Sequence, residues 1–200
     1  NFAVPESSGM FDPETKKLDL LTVVKKDIEL FGGVDYLHLF DWGWDPVHGR
    51  CGDYNPWVYL GGVENFRNQV TAVKAEKIPV GLYIEGILVD PQSELGKAHG
   101  EQWQMLNAEG KPYTYFAPSY HICMRVPQWQ DYLSDTYARV KNETGAMGFY
   151  IDEYGFSSPT YWCYNTTHGH PTPVTPVVGE RQMLRQVRTK LGPDAAIYTE

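Results

Sequence analysis

The apolar run 148–151 ends abruptly in two acidic residues, Asp152 and Glu153. An apolar run of this length that stops at an acid is typical of a buried strand with a carboxylate at its end. Side chains alternate along a strand, so Tyr150 and Asp152 share one face while Ile151 and Glu153 share the other. Only one of the two neighbouring acids can therefore face a given site.

The pattern Tyr-x-acid closes three such runs, at residues 83–85, 150–152 and 198–200. Three runs that end alike predict parallel strands of one sheet, with a ring of carboxylates around a cleft at their carboxyl ends. The tyrosines at 83, 150 and 198 should then face the interior of the fold. Residues of the other parity should contact helices, namely Leu82, Ile84, Phe149, Ile151 and Ile197.

Helical and extended segments alternate along the chain. Apolar residues recur every three or four positions over 18–31, 63–77, 129–140 and 180–191, which predicts four helices, with Phe31 on the buried face of the first. Between them, the segments 36–41, 80–85, 149–152 and 196–200 read as strands. This alternation predicts an α/β fold with a parallel sheet. Two long aromatic excursions, 86–128 and 157–178, should lie over the active face.

Bulk composition excludes two classes of partner. The 200 residues have a formal net charge of −8 without a cluster of Lys and Arg, so we expect no nucleic-acid surface. No apolar run approaches the roughly 20 residues that a membrane helix needs, so we expect no membrane span.

The chain begins without Met or a signal-peptide profile, and it stops at the end of an apparent strand. We therefore expect a fragment of a single (β/α)8 domain of the TIM-barrel type, comprising about strands 2 to 5. The remainder of the barrel would belong to a longer chain.

Four acids, Asp41, Glu85, Asp152 and Glu200, fall at predicted strand ends, where barrel enzymes place catalytic groups. Two carboxylates that flank a glycosidic bond can divide the work of nucleophile or base and general acid. We expect Asp41 to bind substrate, and Glu85 to bind substrate or to have a structural role rather than to catalyse. Aromatic residues that stack on pyranose faces would complete a carbohydrate site, and the candidates are Trp42, Trp44, Trp57, Tyr150 and Trp162.

Other candidate ligand residues are scattered along the sequence. Arg125 either clamps a substrate hydroxyl or carboxylate, or pairs with Asp131. The pair His168 and His170 suggests a metal, but no third ligand follows at metal spacing, so we expect a loop with no metal and no cofactor. The three cysteines, Cys51, Cys123 and Cys163, allow at most one internal disulfide.

The sequence resembles retaining α-glycosidases of the α-amylase type and the related endo-α-N-acetylgalactosaminidase-like barrels. The resemblance rests on the run 148–155 and on the later Tyr198-Thr199-Glu200. With one strand expected before residue 1, the resemblance implies that Asp152 is the nucleophile on strand four and that Glu200 is the general acid/base on strand five. Tyr150 departs from the α-amylase pattern, which has an arginine two residues before the aspartate. The departure favours a more remote, glycosidase-like family.

The leading hypothesis is thus a retaining glycoside hydrolase that acts on an α-linked glycan. Its rival is a non-catalytic barrel that binds carbohydrate. The two differ in one geometric respect, because the carboxyl groups of a retaining pair lie about 5 to 5.5 Å apart and those of an inverting pair about 6.5 to 9.5 Å.

Overall fold

The computed structural model describes residues 2–3, 5, 7–12, 14–40, 42–43, 51–54, 60–114, 118–154 and 161–199. Its helices and strands follow in chain order: β1 (Phe2–Ala3), β2 (Phe11–Asp12), β3 (Lys17–Leu18), α1 (Leu20–Phe31), β4 (Leu37–Leu39), α2 (Gly62–Ala75), β5 (Val80–Glu85), β6 (Leu88–Val89), α3 (Glu101–Trp103), β7 (Tyr120–His121), α4 (Pro127–Thr144), β8 (Gly148–Asp152), α5 (Val177–Leu191) and β9 (Ala196–Tyr198). A single π-helical turn, Gly96–Gly100, precedes α3, and a 3-10 turn, Thr166–His168, precedes α5.

One five-stranded sheet, in the order β1-β4-β5-β8-β9, organises the chain. All four neighbouring pairs are parallel, which confirms the predicted α/β class and the adjacency of the four predicted strands. The sequence did not reveal β1, which lies before β4 within the chain. A strand of two residues is too short to show a period.

The first helix shows how local signals set its ends. Asp19 caps α1 by accepting a hydrogen bond from the Thr22 backbone N–H at 3.0 Å, and Gly32 ends it with φ of 82°. Because Asp19 is the cap, Leu18 belongs to β3 instead of to the helix. The predicted burial of Phe31 was wrong, since its side chain is 73% exposed on the last turn.

The helices cover one face of the sheet. On α4, the residues that recur at helical spacing are buried, namely Trp129, Leu133, Thr136, Tyr137 and Val140. Tyr137 meets Phe149 of β8 edge to face at 5.7 Å, as the strand parity predicted. None of the helices in the part of the chain that the structure describes is long and apolar enough to cross a membrane.

The two excursions are folded segments that leave the carboxyl ends of β5 and β8. The first contains the antiparallel pair β6 and β7 and the helical turns that end in α3. In the second, Cys163 and Val174 form an antiparallel bridge that closes the loop between them. Backbone hydrogen bonds join the excursions to each other, for example Tyr164 N to Leu106 O at 2.8 Å.

Candidate active site

The register of β5 and β8 places like residues side by side. Tyr83 pairs with Tyr150 and Glu85 with Asp152, and the glycines at 81 and 148 are paired in the same way. Because side chains alternate along strands, these residues share one face of the sheet. The predicted grouping of tyrosine and acid on one face is therefore present in the structure.

An aromatic row crosses this face. Ring centroids lie 4.2 Å apart for Phe40 and Tyr83, 5.8 Å for Tyr83 and Tyr150, and 5.7 Å for Tyr150 and Tyr198. The predicted substrate-binding residue Tyr150 is partly exposed and lies within this row. The row lies on the same face of the sheet as the strand-end acids Glu85 and Asp152, next to them.

Glycines make room for a second aromatic layer below this row. A Cβ atom on Gly81 would lie 1.5 Å from the Tyr36 hydroxyl, and one on Gly148 would lie 2.2 Å from the same atom. Side chains at these two positions would displace Tyr36. The glycines are therefore needed for the close approach of the Tyr36 ring to the strands.

Sequence reasoning missed His38, which lies on the same face. Its Nδ1 is 2.7 Å from the Tyr198 hydroxyl, and that hydroxyl is also hydrogen-bonded to the hydroxyl of Tyr36. Burial lowers the pKa of His38 to about 4, so the imidazole is neutral near pH 7. The alternation of Tyr36, His38 and Phe40 was the signal that could have identified it.

Tyr83 joins the two strand-end acids. Its hydroxyl lies 2.5 Å from Asp152 Oδ2 and 3.0 Å from Glu85 Oε2. A phenol has one proton to donate, so it can donate to only one carboxyl and must accept from the other. Burial raises the pKa of Tyr83, which keeps the phenol protonated. One of the two carboxyl groups must therefore be protonated to complete the chain.

Glu85 is the carboxyl group suited to hold that proton. It is 2% exposed, and burial, with a further contribution from the negative charge of Asp152, raises its pKa to about 8. Its other oxygen, Oε1, accepts the backbone N–H groups of Ile87 at 2.9 Å and Leu88 at 3.2 Å. In the arrangement that satisfies both contacts of the Tyr83 hydroxyl, Glu85 holds the proton and donates to Tyr83, which in turn donates to Asp152.

Of the two roles expected for Glu85, this position fits the structural role and does not fit direct binding of substrate. Both of its carboxyl oxygens are engaged within the protein and its side chain is buried, because the chain turns directly into β6 after β5. Glu85 therefore acts on Asp152 through Tyr83.

Asp152 is partly exposed and ends β8. The backbone turns sharply after it, since Glu153 has φ of 60°, a conformation that is uncommon for a residue other than glycine. Gly86 packs against this turn, and a Cβ atom there would lie 2.6 Å from the Asp152 carbonyl oxygen. The end of β8 is thus held tightly, with the Asp152 carboxylate accessible.

The predicted role of Trp42 in sugar binding does not fit its position. Trp42 is fully buried, and its indole N–H donates to the Tyr83 carbonyl oxygen at 2.7 Å. It stacks with Tyr54 at 6.1 Å and contacts Phe66 of α2. A position just after a strand end predicts contact with a sugar, whereas the structure places the Trp42 ring in the core.

The remaining predicted site residues lie elsewhere. Asp41, Trp44 and Glu200 fall outside the described residues. Arg125 is partly buried, and its backbone amide hydrogen-bonds to the thiol of Cys123 in the first excursion. Its role in substrate binding stays a prediction.

The structure also brings together four residues that sequence reasoning kept apart. One ligand atom from each of Cys123, Cys163, His168 and His170 lies within 4.8 Å of the others. The two histidines thus have two further candidate ligands beside them, which their spacing along the chain did not show. The cysteines come from segments that are distant from each other along the chain.

Solved structures with a similar fold include glycoside hydrolases. The GH36 α-galactosidase AgaA from Geobacillus stearothermophilus matches with a TM-score of 0.71 and 15% identity over 99% of this chain and 27% of its own. The α-galactosidase TtGalA from Thermus thermophilus, in complex with p-nitrophenyl α-D-galactopyranoside, matches with a TM-score of 0.62 and 12% identity over 89% of this chain and 34% of its own. A GH31 sulfoquinovosidase from E. rectale matches with a TM-score of 0.64 and 14% identity over 89% of this chain and 28% of its own.

At these identities the similarity shows a glycosidase-like fold. The chain spans between 27% and 34% of the length of these enzymes. No curated protein matches the sequence. A family model described as "Domain of unknown function (DUF6259)" matches residues 8–200, and the chain therefore belongs to the DUF6259 family.

Proposed function

We propose that this chain is part of a glycoside hydrolase that cleaves an α-linked glycan by a retaining mechanism with two carboxylates. The observation that carries the proposal is the partly exposed Asp152 carboxyl group at the end of β8, hydrogen-bonded by Tyr83, which also contacts the buried Glu85. The glycosidase folds of the structural neighbours support it.

The proposed architecture is the first part of a (β/α)8 barrel. The five parallel strands β1, β4, β5, β8 and β9 would be barrel strands one to five, which makes β8 the fourth. The resemblance to α-amylase-type enzymes places the nucleophile on strand four, so this count supports Asp152 in that role. The rest of the barrel would come from a longer chain.

In the first chemical step, the Asp152 carboxylate attacks the anomeric carbon while a general acid protonates the departing glycosidic oxygen. A covalent glycosyl-enzyme forms, and the same acid, now a base, activates the water that hydrolyses it. We propose Glu200 as the residue that acts first as the general acid and then as the base. It lies two residues beyond β9, the strand next to β8.

Tyr83 and Glu85 prepare the nucleophile. Donation from Tyr83 stabilises the charge on Asp152 and fixes the orientation of the carboxylate. Because Glu85 is neutral, it adds no second negative charge next to the nucleophile. Tyr150, Asp41, Trp44 and Arg125 remain the proposed contacts to sugar.

The test is turnover by the intact protein on a panel of aryl α-glycosides, beginning with α-galactosides because the neighbours include α-galactosidases. We expect Asp152→Asn to lower turnover by a factor on the order of 10⁴ or more, as when other enzymes lose a nucleophile. Asp135→Asn, an exposed residue of α4 that pairs with Lys190, is the matched control and should keep normal turnover.

A second measurement separates the roles. In Glu200→Gln, added azide should restore turnover and give a glycosyl azide of retained configuration, because azide attacks the intermediate without needing a general base. If Asp152→Asn keeps near-normal turnover on a substrate that the wild-type protein cleaves, Asp152 is not the nucleophile. If the wild-type protein binds α-glycans and cleaves none, the barrel is a carbohydrate-binding module.

A further inference from the structure

Four metal-ligand side chains converge where the two excursions meet. Cys123 follows β7 in the first excursion, while Cys163, His168 and His170 belong to the second. Both cysteines are buried, with 1% exposure each, and both histidines are partly buried. The four residues thus form one compact cluster that is distinct from the acids at the strand ends.

The distances within the cluster match a tetrahedral metal site. Cys123 Sγ lies 3.3 Å from His170 Nε2, and Cys163 Sγ lies 3.5 Å from His168 Nδ1. Zinc bonds of about 2.3 Å to sulfur and about 2.0–2.1 Å to nitrogen, at tetrahedral angles, place such sulfur and nitrogen atoms about 3.5 Å apart. Only small shifts would bring all four atoms into coordination.

The histidines are oriented by their other nitrogens. His168 Nε2 is 2.9 Å from the Gln102 carbonyl oxygen, and His170 Nδ1 is 2.9 Å from the Pro171 carbonyl oxygen. A carbonyl can only accept, so each of these nitrogens carries the proton. The nitrogens that face the sulfurs therefore present lone pairs, which is the tautomer that a metal ligand requires.

Backbone amide groups donate hydrogen bonds to both cysteine sulfurs. The backbone amide of Arg125 hydrogen-bonds to Cys123, and the backbone amides of Asn165 and Leu106 hydrogen-bond to Cys163. In both cases one donor is the amide two residues after the cysteine. Amide donors of this kind stabilise the charge of a metal-bound sulfur.

We propose that Cys123, Cys163, His168 and His170 bind one Zn²⁺ ion in a structural site. Each thiol releases its proton to solvent when it binds, so two thiolates balance the charge of the ion and the buried site is neutral. Four protein ligands leave no open position for water or substrate, which is characteristic of structural zinc.

The ion would cross-link the two excursions near the proposed active site. They already share contacts such as Asn165 Nδ2 to Gln104 O at 3.4 Å, and the ion would add a further link. Since the excursions follow β5 and β8, the strands that end in Glu85 and Asp152, the zinc would fix the loops beside those acids.

The test is the metal content of the intact protein, expressed and purified with zinc and measured by elemental analysis. We expect Cys123→Ser and Cys163→Ser each to contain one zinc ion per chain fewer than wild type. Cys51→Ser is the matched control, because Cys51 lies outside the cluster, and its zinc content should equal that of wild type.

A spectroscopic readout on the wild-type protein does not depend on the folding of any variant. Replacing zinc with Co²⁺ should produce the visible absorption of tetrahedral cobalt and a thiolate-to-cobalt charge-transfer band. Equal zinc content in Cys123→Ser, Cys163→Ser and wild type would overturn the proposal. So would the absence of tetrahedral cobalt absorption, or a Cys123–Cys163 disulfide in the peptide map of the wild-type protein.

Discussion

Two clusters of chemically active side chains follow the same two strands, yet they are built differently. The acids Glu85 and Asp152 are direct neighbours in the strand register. The cysteines and histidines of the second cluster are brought together by the paths of the excursions. The cluster of acids could be predicted from strand alternation, whereas the Cys/His cluster of Cys123, Cys163, His168 and His170 could not.

The difference shows which restraints act on each cluster. Strand-end residues inherit their positions from the hydrogen-bond ladder of a buried sheet, so their geometry is set by the whole core. The Cys/His cluster depends on loop backbone contacts, such as Cys123 N to Trp103 O at 2.9 Å. Perturbing the sheet face should therefore change stability and turnover, but it should leave zinc content unchanged.

The largest expected effect concerns the proton on Glu85. Its pKa is raised from the usual 4.5 to about 8 in the folded state, so the native protein retains a proton that the unfolded chain releases between these values. Relative to Glu85→Gln, which mimics the protonated acid, wild-type stability should fall as pH rises through this window. The slope for one proton is about 1.4 kcal/mol per pH unit.

Urea unfolding of both proteins below, within and above that window measures the effect. The exposed Glu101→Gln is the control and should follow wild type at each pH. A constant difference between Glu85→Gln and wild type across the window would mean that Glu85 is ionised in the fold, and the proposed proton chain through Tyr83 would be wrong.

A smaller effect is expected from Tyr83→Phe, which removes the hydroxyl shared by the two acids. Hydrogen bonds to charged groups contribute about 1.5–3 kcal/mol, so we expect a loss of stability in that range and a fall in kcat of roughly tenfold or more. Zinc content should match wild type. Unchanged kcat and stability would show that the contact between Tyr83 and Asp152 does not form in solution.

The smallest of the three effects is expected from Gly81→Ala, which places a methyl group against the Tyr36 hydroxyl. The tyrosine can move in part, so we expect the cost of ordinary overpacking, about 1–3 kcal/mol. Gly33→Ala is the matched control, because a Cβ there meets nothing within 4 Å. Thermal unfolding of the two variants compares them, and equal melting temperatures would show that Tyr36 does not pack against β5.

Sequence alone determined the alternating pattern of the strands, the buried face of α4 and the parallel order of β4, β5, β8 and β9. These features depend on periods of two and 3.6 residues, which are local and therefore visible in the sequence. The same periodicity located Asp152 and Glu85 at strand ends.

Tertiary structure decided three matters that no local pattern encodes. It placed Trp42 in the core against Tyr54. It buried Glu85 and linked this residue to Asp152 through Tyr83. It also brought Cys123 next to Cys163, which lies 40 residues later in the second excursion. Each depends on contacts between segments far apart in the chain. Loop paths and burial set those contacts, and the free energy that selects them comes from packing of the whole sheet and its helices.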